Sequence, residues 1–64
     1  MIDHLPVHDV PMLVSAVNTL LRDREFDDLD DICGYYEVER GVIDSLLSTH
    51  GFCYSAEYNK ILAL

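Results

Sequence analysis

A mainly α fold, with three helices in helix-turn-helix-like order and a small wing-like β-hairpin at the carboxyl end, is predicted by three features of this sequence. Apolar residues recur at spacings of three and four between Val10 and Leu47, the period that keeps them on one face of a helix. After Gly51 the pattern changes to alternation, with Phe52 and Tyr54 on one side and Cys53 on the other. A length of 64 residues leaves room for only one core, so these elements form a single small domain over 1–64, led by a flexible segment of about residues 1–8.

The first helix is expected near residues 10–23. Asp9 can accept from an amide of the first turn, and Pro11 is tolerated there because that amide has no intrahelical partner. Val10, Leu13, Val14, Val17, Leu20 and Leu21 form its buried stripe, while Ser15, Asn18, Thr19 and Arg22 gather on the opposite side. Arg24 to Asp28 make the connection, with Phe26 as its apolar anchor.

The second helix is expected near 28–36 and the third near 40–50. Asp27 or Asp28 caps the second, and Asp30 and Asp31 lie in its first turn, where carboxylates complement the helix dipole. Leu29, Ile32, Cys33 and Tyr36 mark its inner face, with the small Cys33 where the two helices approach. Val38 follows the turn, and Ile43, Leu46 and Leu47 face inward from the third helix. The residue of the turn that takes positive φ is expected to be Glu37, an unfavourable choice that costs on the order of 1 kcal/mol or more. The same spacings also fit two ordinary amphipathic helices in a small bundle. Gly51 is placed just beyond the third helix. Strands are expected near 52–54 and 60–63, joined by a turn in which Asn59 is left-handed, and the pair must rest on the helices to be stable.

Twelve acidic residues against four Lys and Arg leave a net charge of −8, and six of the acids lie between Asp23 and Asp31. Helix capping and a solvated loop account for that cluster, and a docking patch for a basic protein is the sharper alternative. The charge opposes direct nucleic-acid binding, which relies on cations at the phosphates. Cys33 and Cys53 have neither zinc-ligand spacing nor disulfide-scaffold density, so a reduced cytoplasmic setting is expected. The amino terminus lacks signal-peptide features, and the apolar stretch from Val10 to Leu21 is too short and too interrupted for a membrane span.

Enzyme signatures are absent, and neither a catalytic site, a metal nor a cofactor is expected. His4 and His8 flank Pro6 and have no third ligand at metal spacing. Cys33 and His50 could pair as nucleophile and base only if Cys33 left the core, and Gly34, Gly41 and Gly51 form no phosphate loop.

The segments Asp9-Val-Pro-Met-Leu-Val-Ser-Ala-Val-Asn-Thr-Leu-Leu-Arg-Asp23, Leu29-Asp-Asp-Ile-Cys33 and Gly51-Phe-Cys-Tyr54, with Asn59, resemble a small bacterial family called domain of unknown function 4250. The family pattern carries Asp-Pro, Met-Leu-Leu-Ser, Val-Asn-Thr, Leu-Arg-Asp, Leu-x-x-Leu-Cys and a terminal Gly-Tyr-x-Tyr at comparable spacings. This chain departs with Val10 before Pro11, with Ile32 for Leu and with Phe52 for Tyr. The resemblance covers nearly the whole chain and implies a compact bacterial domain, with no activity to transfer.

The matched Asn18 and Arg22 lie one turn apart and could offer an amide and a guanidinium to a carboxylate or to a backbone segment. The plainer alternative pairs Arg22 with Asp30 or Asp31 and spends Asn18 on loop backbone groups. Asn18, Arg22, Asp23, Tyr54, Tyr58, Ile61 and Leu62 are the candidate interaction residues. The expected function is a non-catalytic protein-interaction module, acting on an unknown protein partner or as a homodimer. The strand Ile61-Leu-Ala-Leu64 supplies an apolar edge for docking, with Ile61 and Leu62 completing the monomer core as the alternative. A nucleic-acid-binding regulator using the third helix is the second reading.

Overall fold

The computed structural model describes residues 3–64. Its elements run α1 (Val10–Arg22), α2 (Leu29–Tyr36), α3 (Arg40–Thr49), β1 (Phe52–Ser55) and β2 (Lys60–Ala63), the order and composition read from the sequence.

Local chemistry sets the helix ends. The Asp9 carboxylate accepts from the Met12 amide at 3.1 Å, with Pro11 in the first turn of α1. At α2 two aspartates cap reciprocally. Asp28 accepts from the Asp31 amide at 2.9 Å, and Asp31 reaches back to the Asp27 amide at 3.1 Å. This employs part of the acidic cluster in satisfying helix-end donors. Each helix is followed by a residue with positive φ: Arg24 (59°) after α1, Glu37 (57°) after α2 and Gly51 (81°) after α3. Around Arg24 the amide of Glu25 returns to the Leu20 carbonyl at 3.1 Å and the amide of Arg24 to that of Leu21 at 3.2 Å. The amides of Val38 and Glu37 repeat the arrangement on Cys33 and Gly34. These are Schellman closures, normally served by glycine. Glu37 and Gly51 were expected in this role, while Arg24 carries no turn signal.

Helices α2 and α3 are separated by the three residues 37–39, the spacing of a helix-turn-helix. Leu29, Ile32 and Cys33 from α2 meet Ile43 and Leu47 from α3 in the core, with Val10, Leu13, Val17, Leu20 and Leu21 from α1. Leu5, from the segment preceding α1, is also buried, and Val7 packs against the same cluster. Ile61 closes the core from the hairpin at 3% exposure.

The strands are antiparallel, with Phe52 opposite Ala63, Cys53 opposite Leu62, Tyr54 opposite Ile61 and Ser55 opposite Lys60. The Leu64 amide donates to the Gly51 carbonyl at 2.8 Å. Hydrogen-bonded pairs alternate along an antiparallel ladder, so Cys53 with Leu62 and Ser55 with Lys60 are bonded pairs too. The peptide groups of Phe52, Tyr54, Ile61 and Ala63 therefore point away from the partner strand. β2 packs beside α1 and β1 beside α3, which gives the hairpin the support two strands require.

Candidate functional site

Asparagine side chains hold the hairpin to the helices. Asn18, half-buried on the outer side of α1, brackets Ile61. Its amide nitrogen donates to the Ile61 carbonyl at 3.1 Å, and its oxygen accepts from the Ile61 amide at 2.7 Å. A peptide unit of a third strand would make the same pair of bonds. The Asn18 amide is therefore spent on the backbone, of strand β2 rather than of a loop. Asn59, left-handed at φ 52°, donates to the Asp27 carbonyl at 2.9 Å and accepts from the Tyr54 hydroxyl. It joins the hairpin turn to the α1–α2 connection.

Arg22 does not tie α1 to α2. Its Nε donates to the adjacent Asp23 carboxylate at 3.2 Å, and both side chains are well exposed, so this pair contributes little stability. The cation that bridges elements is Arg40. Its Nη1 donates to Asp30 of α2 at 2.7 Å and its Nε to Asp44 at 3.0 Å, while its guanidinium lies 5.0 Å from the centroid of the Tyr54 ring. Burial alone would lower the Arg40 pKa, but the hydrogen bonds it donates to Asp30 and Asp44, aided by their charges, outweigh it and the value rises. No local signal marks Arg40 for this role, because Tyr54 and Asp30 reach it only through the fold.

The remaining predicted residues fall in different places. Arg22 and Tyr58 line a cleft between α1 and the hairpin turn, with Ser15, Asn18, Thr19 and Lys60. Asp23 lies on the neighbouring surface of α1. Tyr54 belongs to the Arg40 junction and Ile61 to the core. Leu62 is half-buried and faces away from Ile61, on the side of the hairpin that carries exposed Cys53. Leu64 is 82% exposed. The seven candidates thus form no single patch; Asn18, Arg22 and Tyr58 are the three brought together.

Cys33 sits in the core with 5% exposure, and burial pushes its thiol pKa up. A neutral, enclosed thiol is a poor nucleophile. His50 lies elsewhere, its Nδ1 3.0 Å from the Leu46 carbonyl at the end of α3. Among the described residues, no three His, Cys, Asp or Glu side chains gather as metal ligands, and no helix is long and apolar enough to cross a membrane.

The outward face of α3 has a different character. Gly41, Val42, Ser45, Leu46 and Thr49 border a shallow groove of about 490 Å³ with Glu39 at one end and His50 at the other. Val42 is 47% exposed, and a Cβ built on Gly41 would meet no atom within 4 Å. The charged groups of α3 between those ends, Arg40 and Asp44, pair with one another beside it.

No curated protein and no solved structure matches this chain. The family described as Domain of unknown function (DUF4250) has a model that matches residues 7–61. On that match, which takes in α1, α2, α3, β1 and the start of β2, the chain belongs to the DUF4250 family.

Proposed function

We propose that this domain is a non-catalytic protein-interaction module that pairs with a second copy of itself through α3, in a reducing cytoplasmic compartment. The observation that carries the reading is the uncharged α3 face between Glu39 and His50 on a chain of net charge −8. Two such chains repel where carboxylates meet, and this face lets them approach without opposing acids. An antiparallel crossing centred near Ser45 sets Glu39 of each copy beside His50 of the other, about 16 Å along the helix at 1.5 Å per residue. Such pairing is the self-complementarity a two-fold interface requires. Exposed Val42 supplies an apolar anchor at Gly41, where the helix surface is low.

The α2–α3 spacing favours a second reading, binding of nucleic acid by α3. Its weakness is Arg40, the only cation of the helix, which is already held by Asp30, Asp44 and the Tyr54 ring. Phosphate would have to displace those partners.

Sedimentation equilibrium on the full chain and on Val42→Glu tests the dimer. A dimer in the parent that dissociates in V42E, with matching circular-dichroism melts at concentrations low enough for both to be monomeric, is the expected result. A parent protein monomeric at high micromolar concentration, or a V42E dimer of undiminished affinity, would show that α3 is not the interface.

A further inference from the structure

We propose that the cleft between α1 and the hairpin turn is a binding site for a small amphiphilic carboxylate, a free organic acid with an apolar body. Only four Lys and Arg exist in the chain, and three of them, Arg22, Arg24 and Lys60, line two adjoining clefts that share Arg22 and Tyr58. The larger cleft, of about 580 Å³, is within the range of small-molecule sites. It is lined by two cations and by the hydroxyl groups of Ser15, Thr19 and Tyr58, with no acidic side chain on its walls. The Asp23 carboxylate beside the Nε of Arg22 offsets one of these two charges, and Lys60 leaves the cleft locally positive on a molecule of net charge −8. More distant carboxylates are screened beyond a Debye length of about 8 Å at physiological salt.

The walls are fixed independently of any ligand. Ser15, Thr19 and Arg22 come from one side of α1, while Tyr58 and Lys60 come from the hairpin. The double hydrogen bond between Asn18 and Ile61 holds β2 against α1 one residue from Lys60. Asp23 engages only the Nε of Arg22, and no described residue bonds its two terminal nitrogens. Those donors suit the two oxygens of a carboxylate. Lys60, on the facing wall, adds a second positive charge.

The apolar part has a place as well. Ser15 and Thr19 also border a trough along α1 whose walls are Met12, 57% exposed, Ala16 and Leu20, with Asp23 and Glu25 toward the carboxyl end of the helix. A chain leaving the carboxylate across Ser15 and Thr19 would lie on Met12 and Ala16 and remove them from water. This continuity of a cationic cleft with the surface of Met12 and Ala16 favours an amphiphilic acid over inorganic phosphate, which would leave that apolar surface uncovered.

Nuclear magnetic resonance on the full, isotopically labelled chain tests the site, with hexanoate as the probe. Saturable shifts of the Ser15, Thr19, Arg22 and Lys60 amides are expected at up to about 10 mM ligand, a range suited to millimolar affinity. Hexanamide should bind at least about tenfold more weakly, since loss of a charged hydrogen-bonding group is worth a factor of that size. The R22Q/K60Q variant, with its melt checked, should lose affinity to the same extent. The proposal is overturned by an absence of saturable shifts, by equal binding of hexanamide, or by undiminished affinity in a folded R22Q/K60Q protein. It is equally overturned if only a peptide with a free carboxyl end binds, because the occupant would then be a protein segment.

Discussion

Asn18 and Asn59 are polar residues whose importance comes from partners far along the chain. Ile61 is 43 positions from Asn18, and Asp27 is 32 from Asn59. The plainer reading of Asn18 as a residue serving backbone groups had the right chemistry, and it missed the location. No periodicity can reveal which strand will pass beside a helix. Arg22 and Arg40 show the same limit: the sequence offers both a choice of several aspartates, and only the packed chain decides. Replacing Asn18 with alanine leaves the Ile61 amide and carbonyl without partners in a partly buried place, so Asn18→Ala should cost about 1–3 kcal/mol. Urea denaturation measures this directly. A loss below about 0.5 kcal/mol would mean that water substitutes for the amide.

At the scale of the elements, the sequence was informative because helix signals are local. The Asp9 cap, a cap at Asp27 or Asp28, and Gly51 bracket the helices to within a residue or two of their observed ends. Alternation located β1, the return of the chain after the turn located β2, and Asn59 was legible as the left-handed residue of that turn. Arg24 escaped notice because arginine has no preference for positive φ, and its conformation follows from the need to turn the chain after α1. Two of the three helix closures thus rest on side-chain-bearing residues where glycine would be relaxed. Each of Arg24→Gly and Glu37→Gly should raise stability by about 0.5–1 kcal/mol, the left-handed penalty offset in part by the entropy of glycine in the unfolded chain. Thermal melts of both variants check this. A lower melting temperature for Arg24→Gly would mean that its side chain supports the fold in a way its exposure does not suggest.

For the whole molecule, charge and compactness pull in opposite directions. A radius of gyration of 10.4 Å confines a net charge of −8, and self-repulsion in so small a volume opposes both folding and association. The total charge was legible from composition. The gathering of three cations on the side of Tyr58 was not, because Arg22 and Lys60 are 38 positions apart and meet only when the hairpin docks on α1. With Arg40 engaged, the protein should show no micromolar affinity for random-sequence duplex DNA at physiological salt. Fluorescence anisotropy decides, and binding that weakens steeply with added salt would contradict it.

The bond pair between Asn18 and Ile61 also bears on aggregation. A sheet edge recruits other chains when a run of its peptide groups faces outward unpaired, the first step toward cross-β stacking. Along β2 the outward groups belong to Ile61 and Ala63, and the first of these is already occupied. Only a single residue's peptide remains, too short a template for a fibril to grow from, although the segment Ile61-Leu-Ala-Leu64 is otherwise apolar and almost free of charge. One amide on a helix thereby shields an apolar, uncharged stretch of the chain from pairing with its own copies.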